Sequence, residues 1–384
     1  MFSREKKTPL AEWWWTIDRQ ILGALILLLA AGVALSFAAS PAVAERIGKS
    51  SWHFIFRHLF FLIPTIIVLI ATSFATPRLA RFAALIMLIG SLGLLILTPF
   101  IGYEANGAKR WILIFGQSIQ PSEFVKPAFA IIAAWLIAQK LQYGNVPGVL
   151  LASLLMVIII IPMLLQPDIG QTFLILATWS ALVFLSGVSL WIVLILFGGI
   201  VSFSFAAYLF FPHVTTRFNS FIDSFLNPAS GASYQVEKAM RSLMEGGWFG
   251  RGPGEAIAKR YLPDAHADYV FAAAAGEFGI LFCILLVVLI SFIVLKSLNN
   301  AMKQKSLFAR LAASAIAVQF AMQSIINLAV NLNLMPPKGM TLPFVSYGGT
   351  SMVAIAFGMG LMLALTRKNP QESLKTSLPT NRSE

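Results

Sequence analysis

The sequence predicts an all-α membrane protein, a polytopic bundle of about ten transmembrane helices, and three features predict it. Of the 384 residues, 58% are hydrophobic and 11% charged, and the mean hydropathy is +0.79. Apolar runs of roughly 20 residues, enough to cross a hydrocarbon core about 30 Å thick, recur from end to end. Basic residues gather at alternate connections between those runs, the pattern of a chain threaded through a bilayer. No water-soluble domain could keep that balance in solution, so lipid is the solvent of this chain.

The first run, Ile21–Ala39, is long enough to span. No small-residue cleavage site follows it, so it reads as an uncleaved helix and not a signal peptide. Trp13, Trp14 and Trp15 precede it, where amphipathic indoles favour the headgroup level. Further spans are predicted at Phe54–Ser73, Phe82–Ile101, Phe124–Ala138, Val149–Leu165, Thr172–Leu185, Leu190–Phe211, Tyr269–Leu295, Leu307–Leu332 and Met352–Leu365. Arg4, Lys6, Lys7 and Arg19 before span one, Arg78 and Arg81 after span two, and Lys296, Lys303, Lys305 and Arg310 after span eight mark cytoplasmic ends. Both termini are then cytoplasmic, which suits Arg367 and Lys368 directly after the last run. Residues 1–20 form a cytoplasmic N-terminal segment, 21–367 a single integral membrane domain, and 368–384 a disordered cytoplasmic tail.

Alternation makes residues 212–268 a large extracytoplasmic loop between spans seven and eight, on the same face as the connections 102–123 and 335–349. That loop keeps Arg217, Lys238, Arg241, Arg251, Lys259 and Arg260, an excess for a translocated segment. Either long loops cross regardless of charge, or these bases meet an anionic ligand at the outer leaflet. The formal net charge of +12 is scattered over short connections, which favours a membrane surface or an anionic lipid over nucleic acid. Cys283 is the only cysteine and sits in an apolar run, so no disulfide forms within the chain. Val236, Met240, Leu243 and Met244 recur at helical spacing between Ser233, a candidate cap, and Gly246-Gly247, a stop; they predict a short amphipathic helix on the membrane. The turn Gly250-Arg251-Gly252-Pro253-Gly254 follows, either a plain turn or one whose amides approach a ligand closely.

Ionisable groups in or beside apolar spans cost several kcal/mol unless paired or wet, and four segments hold them. Glu123 and Lys126, at the mouth of span four, lie three apart on one helical face. They are an ion pair that makes burial tolerable, or a cavity wall where Lys126 meets phosphate and Glu123 orients it or a metal ion. Asp168, in Gln166-Pro167-Asp168-Ile169-Gly170-Gln171, is expected to cap the next helix. Tyr261-Leu262-Pro263-Asp264-Ala265-His266-Ala267-Asp268-Tyr269 brings carboxylates and an imidazole to the place where a loop meets the membrane. Asp268 is there a helix cap or a general base tuned by Asp264 or His266. The stretch from Pro336 to Ser351, with Lys338 and Ser346, forbids regular helix at membrane depth and so faces a protein-lined or watery cavity. Lys338 is either a phosphate contact or a snorkelling surface lysine. No P-loop, nucleophile elbow or His/Cys cluster is present in the sequence, so energy for any reaction comes with the substrate.

The third and fourth of these segments together resemble the SEDS family (shape, elongation, division, sporulation), and the similarity runs from span one to Arg367. Tyr261-Leu262-Pro263-Asp264-Ala265-His266 and Lys338-Gly339-Met340-Thr341-Leu342-Pro343 look more like its division members than its elongation members. The resemblance implies a ten-helix fold and a peptidoglycan glycosyltransferase that polymerises lipid II into septal glycan and releases undecaprenyl diphosphate. It maps the family's essential aspartate onto Asp268, as general base, and the glutamate and lysine of its outward cavity onto Glu123 and Lys126; Arg251, His266, Lys338 and Ser346 are further candidate substrate contacts. A divalent cation, magnesium or manganese, could assist the leaving diphosphate. The implied partners are a class B penicillin-binding transpeptidase and other division proteins, and the implied location is the inner membrane at the septum. The chain departs from the family pattern at Ala267, often threonine, and at Gly276-Glu277, often a Glu-Glu pair. A lipid II flippase or a scaffold that recruits the transpeptidase is the competing reading. Transport would centre on midplane charges, whereas the carboxylates here gather at the outer rim.

Overall fold

The computed structural model describes residues 8–105, 108–114, 116–187, 234–252, 254–256, 265–336 and 339–368, with Leu262 and isolated positions between 191 and 222. The helices are α1 Pro9–Thr16, α2 Arg19–Arg46, α3 His53–Ser73, α4 Pro77–Ile101, α5 Pro121–Tyr143, α6 Gly148–Leu165, α7 Ile169–Leu185, α8 Tyr234–Gly246, α9 Val270–Met302, α10 Leu307–Asn331 and α11 Thr350–Leu365. Between α4 and α5 the chain forms an antiparallel ribbon, β1 Tyr103–Ala105, β2 Ala108–Ile114 and β3 Gln117–Ile119, with β2 central. Among the described residues, seven helices are long and apolar enough to cross a membrane, and α7 and α11 are shorter apolar helices. The chain is a polytopic helical membrane protein. The expected span at Leu190–Phe211 falls mostly outside the described residues, as does the tail beyond Lys368.

Side-chain size decides which helices are central. In α5 and α10, 67% of the apolar window is buried, against 28% in α3, α4 and α9. Lipid tails are as apolar as leucine, so helices in a membrane associate through close packing, which small residues permit. Accordingly α5 buries Ala128, Ala130, Ala133 and Ala134, and α10 buries Ala309, Ala312, Ala313 and Ala315. Helices α3 and α4 instead turn Phe56, Phe60, Ile63, Ile86 and Ile89 outward. Helix α10 packs against α5, α7, α9 and α11 and is the hub through which the functional segments meet.

The connections sort to two ends. At one, Phe54 of α3 packs on His266 (ring centroids 4.2 Å apart) and Tyr347 (5.6 Å), while Arg57 donates to Gln117 Oε1 at 3.2 Å. Arg110 of β2 donates to the carbonyls of Gln166 and Pro167 at the same end. At the other, Asn300 Nδ2 donates to Asp18 Oδ2 at 2.7 Å, Arg367 to the Ala75 carbonyl at 3.0 Å, and the Lys368 amide to the Thr16 carbonyl at 3.0 Å. This second end corrects the reading of the indoles. Trp13 is buried, stacks on Phe74 at 4.8 Å and donates Nε1–H to Ser73 Oγ at 2.8 Å, so it is a packing residue.

Helix α9 is broken. Its 33 residues would reach about 50 Å as one rod, longer than the hydrocarbon core. Gly279 interrupts it at φ +80° and ψ 177°. The break frees backbone groups, and the segment after α8 satisfies them. Amides of Arg251 and Gly252 donate to the carbonyls of Gly276 and Glu277, while Ile280 and Leu281 donate to those of Gly247 and Trp248. Glycine is required for that approach: a Cβ on Gly250 would lie 2.0 Å from the Glu277 oxygen, and one on Gly279 would lie 2.3 Å from the Trp248 oxygen. Helix α8, predicted as a short amphipathic helix, lies against the first part of α9, where Ser242 Oγ donates to the Ala272 carbonyl at 2.8 Å. A Cβ on Gly276 would come within 2.7 Å of that same Oγ. On the other side of that contact, a Cβ on Gly246 would lie 1.8 Å from the Ala275 oxygen, so glycines on both helices admit the close approach.

Candidate active site

Proline at the first position of α5 starts that helix and places Glu123 in its first turn, one turn before Lys126. Both side chains are buried, and Lys126 Nζ lies 2.8 Å from Glu123 Oε2. A buried ion pair survives only when its remaining polar atoms are also met, and here they are. Glu123 Oε2 accepts from Ser351 Oγ at 3.0 Å and its Oε1 from Gln171 Nε2, while Lys126 donates to Gln323 Oε1 at 2.9 Å. Four helices, α5, α7, α10 and α11, thus close on one pair. A small pocket opens beside it, lined in part by Lys126, Gln319, Phe320, Gln323 and Pro343.

Asp168 takes the N-cap position of α7, but its side chain makes no capping bond there: its Oδ2 is instead tied to the start of α5, accepting from Gln120 Nε2 and Ser122 Oγ, each at 3.2 Å. The carboxylate therefore fixes the entry of α5 and, through it, the position of Glu123.

Asp268 is held differently. The N-cap position of α9 falls on Tyr269, so Asp268 stands just ahead of the helix, in the turn 265–269, half-buried. Its backbone carbonyl accepts from Asn327 Nδ2 and Asn331 Nδ2, both at 2.9 Å. Its carboxylate lies against the segment before α11: Oδ2 is 3.5 Å from where a Cβ on Gly339 would stand. Asn327 Nδ2 also donates to the Met340 carbonyl at 2.6 Å, so one asparagine ties the third and fourth segments together. Gln323, Asn327 and Asn331 follow at every fourth residue on one face of α10, and this ladder links Lys126 to Asp268.

The remaining expected site residues are distributed unevenly. His266 is buried between Phe54 and Tyr347, its carbonyl accepts the Tyr347 amide at 2.9 Å, and its Nδ1 has no partner among the described residues. Burial, helped by the charge of Arg46, pushes its pKa down to about 4, so the ring is neutral at physiological pH. Ser346 is buried, and its hydroxyl accepts the Leu342 amide at 2.8 Å, closing the turn before α11. Arg251 is exposed, donates Nε–H to the Glu245 carbonyl at 3.1 Å, and is bound at Gly276, two turns along α9 from Asp268. The amides of its turn serve the break in α9, which replaces the expectation that they approach a ligand. Lys338 and Asp264 lie outside the described residues.

Sequence reasoning missed the α10 ladder and Ser351. Three amides at i, i+4 and i+8 inside an apolar span were the available signal.

A family profile described as cell cycle protein, spanning FtsW, RodA and SpoVE, matches residues 19–371. The chain is 42% identical over 370 residues to the probable peptidoglycan glycosyltransferase FtsW of Caulobacter vibrioides, covering 96% of this chain and 94% of that one. It is 31% identical to the protein of the same name from Tolumonas auensis, over 92% and 95% of the two chains. Among solved structures it is similar to a chain of a peptidoglycan synthase complex described as coordinating polymerization and crosslinking. There the TM-score is 0.75 at 25% identity, over 92% of this chain and 98% of that one. The Thermus thermophilus rod shape determining protein RodA shares the fold, with a TM-score of 0.64 at 24% identity over 92% and 97% of the chains. The SEDS resemblance read from two short segments thus extends over nearly the whole sequence, and the chain belongs to the FtsW, RodA and SpoVE family of cell cycle proteins.

Proposed function

We propose that this chain is a peptidoglycan glycosyltransferase that polymerises lipid II into septal glycan during cell division. The observation that carries the reading is the 42% identity, along nearly all of both chains, to a relative bearing that name. In the proposed reaction the 4-hydroxyl of the lipid II GlcNAc attacks the anomeric carbon of the growing chain's terminal MurNAc. Asp268 takes the hydroxyl proton as the new C–O bond forms. The bond to undecaprenyl diphosphate breaks, the electron pair leaves with the diphosphate, and the configuration inverts. Asp268 suits this role because its backbone bears the anchoring bonds at half-exposed depth.

Lys126 is a weaker candidate for the diphosphate than its charge suggests, since Glu123 already neutralises it. Lys338, outside the described residues, is kept as a diphosphate contact on its charge alone. Glu123 has both oxygens occupied, and among the described residues no three His, Cys, Asp or Glu side chains gather to hold an ion. That donor set does not fit a protein-held magnesium or manganese ion, so no step is routed through one. We assign the end bearing Arg19, Arg78, Arg81, Lys303, Lys305 and Arg367 to the cytoplasm, with both termini, and the end bearing Asp268 to the outer face of the inner membrane at the septum. A class B penicillin-binding transpeptidase, with other division proteins, is the proposed partner; the structural neighbour that couples polymerization to crosslinking supports it.

The test incubates the purified chain and its transpeptidase with lipid II, native against Asp268→Asn. Polymer from the native chain alone is expected. Equal polymer from both would remove Asp268 from the mechanism, and lipid II translocation without polymer from either would favour the flippase.

A further inference from the structure

In a regular α-helix the amide of residue 272 would donate to the carbonyl of residue 268. Here it does not. Ala272 N–H donates to Asn331 Oδ1 at 3.0 Å, and Asn331 Nδ2 donates to the Asp268 carbonyl at 2.9 Å. The side-chain amide of Asn331 is inserted between a donor and an acceptor that would otherwise close the first turn of α9. Regular helical bonding begins one residue later, with Ala273 N–H to the Tyr269 carbonyl at 3.0 Å. Asn327, one turn away on α10, supplies the second donor to the Asp268 carbonyl and fixes the Met340 carbonyl beside it.

From this we infer that Asn331, with Asn327, is a positioning residue for the glycosyl transfer: it wedges open the first turn of α9 and so keeps Asp268 out of the helix. An amide is required for the wedge, because one end must accept from a backbone N–H while the other donates to a backbone carbonyl. Asn331 is fully buried, so no water can stand in for it at the surface. With leucine at 331 the Ala272 amide closes directly on the Asp268 carbonyl, α9 begins one residue earlier with Asp268 as its N-cap, and the carboxylate is redirected. With aspartate the acceptor remains, but an oxygen then faces the Asp268 carbonyl. The inference rests on the proposal that Asp268 is the general base.

The test uses the full-length chain with its transpeptidase, comparing native, Asp268→Asn, Asn331→Leu, Asn331→Asp and Asn327→Leu. It measures kcat for glycan polymerisation, binding of fluorescent lipid II, and hydrogen exchange over residues 265–275. Misplacing a catalytic group by about an ångström costs on the order of 100-fold. The expected result is therefore a kcat loss of roughly 10- to 100-fold in both Asn331 variants, with lipid II affinity within about twofold of native. In Asn331→Leu the Ala272 amide should become better protected. Should Asn331→Leu fail to fold, the isosteric Asn331→Asp gives the same answer. Native turnover in the Asn331 variants, with Asp268→Asn inactive, would overturn the wedge and leave the general base intact. Native turnover in Asp268→Asn would overturn the general base and this inference with it.

Discussion

Glu123 and Asp268 are both acids of one membrane bundle, coupled through one face of α10, yet they stand at different depths: Glu123 is buried and Asp268 is half-buried. Glu123 is held by its side chain, whose oxygens are occupied by Lys126, Ser351 and Gln171. Asp268 is held by its main chain, through the two asparagines. A carboxylate saturated with buried donors is a structural brace, and reaction there would break several bonds at once. A half-buried carboxylate at a helix entry, on a backbone fixed by two buried amides, is placed where a substrate hydroxyl can reach it. The acid on the central helix therefore organises the bundle, and the acid at the helix entry is the one suited to proton transfer.

The largest effect that follows is on Asp268. Its replacement by asparagine leaves the carbonyl and both anchors in place, so the thermal midpoint of the purified chain should stay near native. Polymerisation should fall by about 10²- to 10⁴-fold, the span of general-base contributions. A large fall in thermal midpoint instead would make Asp268 a brace like Glu123 and erase the contrast.

Glu123 and Lys126 should behave in the reverse sense. Lys126→Met strands a buried carboxylate and should cost about 3–5 kcal/mol of stability, whereas Glu123→Gln with Lys126→Met removes both charges and should recover much of it. Denaturation of the native chain and the two variants in detergent measures this. Single and double variants of equal stability would show that the pair is solvated, contrary to its burial.

A smaller effect is expected where the segment after α8 patches the broken α9. Gly250→Ala places a Cβ on the Glu277 carbonyl at φ +81°, and Gly279→Ala does the same against Trp248 at φ +80°. Backbone strain of this kind costs roughly 1–3 kcal/mol, and it should appear as faster proteolysis of the 246–254 segment. Gly254→Ala is the control: its φ is +89° but nothing stands within 4 Å of the added atom. Equal cleavage in all three would show that φ alone, and not the close approach, fixes these glycines.

How much of this could be read from the sequence depended on the range of the interaction. Apolar runs report burial in lipid directly, so the predicted spans that fall on described residues, from Phe54–Ser73 to Thr172–Leu185 and then Tyr269–Leu295 and Leu307–Leu332, appear in α3 to α7, α9 and α10 with shifts at their ends. Glu123 and Lys126 were legible as a pair because their contact is local, three residues apart on one helix. The partners that decide what the pair does, Gln171, Gln323 and Ser351, come from three other helices and carry no local signal. The break at Gly279 was hidden for the same reason. A glycine in an apolar run reads as packing until the loop that bonds to its neighbours is known. The β ribbon between α4 and α5 was read only as a connection, because its alternating segment, Ala108–Ile114, is short and borders two spans.

The smallest effect separates Asp268 from His266, two residues away in the same turn. His266 is buried against Phe54 and Tyr347, with Arg46 adding like-charge repulsion, and its pKa falls from 6.5 to about 4. The unfolded chain binds this proton more readily than the folded one. His266 therefore contributes no pH dependence above about 6.5, and its share of stability is lost as pH falls from there toward about 4. At neutral pH the ring is uncharged and adds no titration of its own between pH 6 and 8. His266→Gln should consequently leave the shape of the pH profile of polymerisation between 6 and 8 as in the native chain, with at most a modest drop in rate from lost packing. Disappearance of an inflection near 6.5 in that variant would mean that the imidazole titrates during turnover, and the general base would then have to be sought at His266 as well as Asp268.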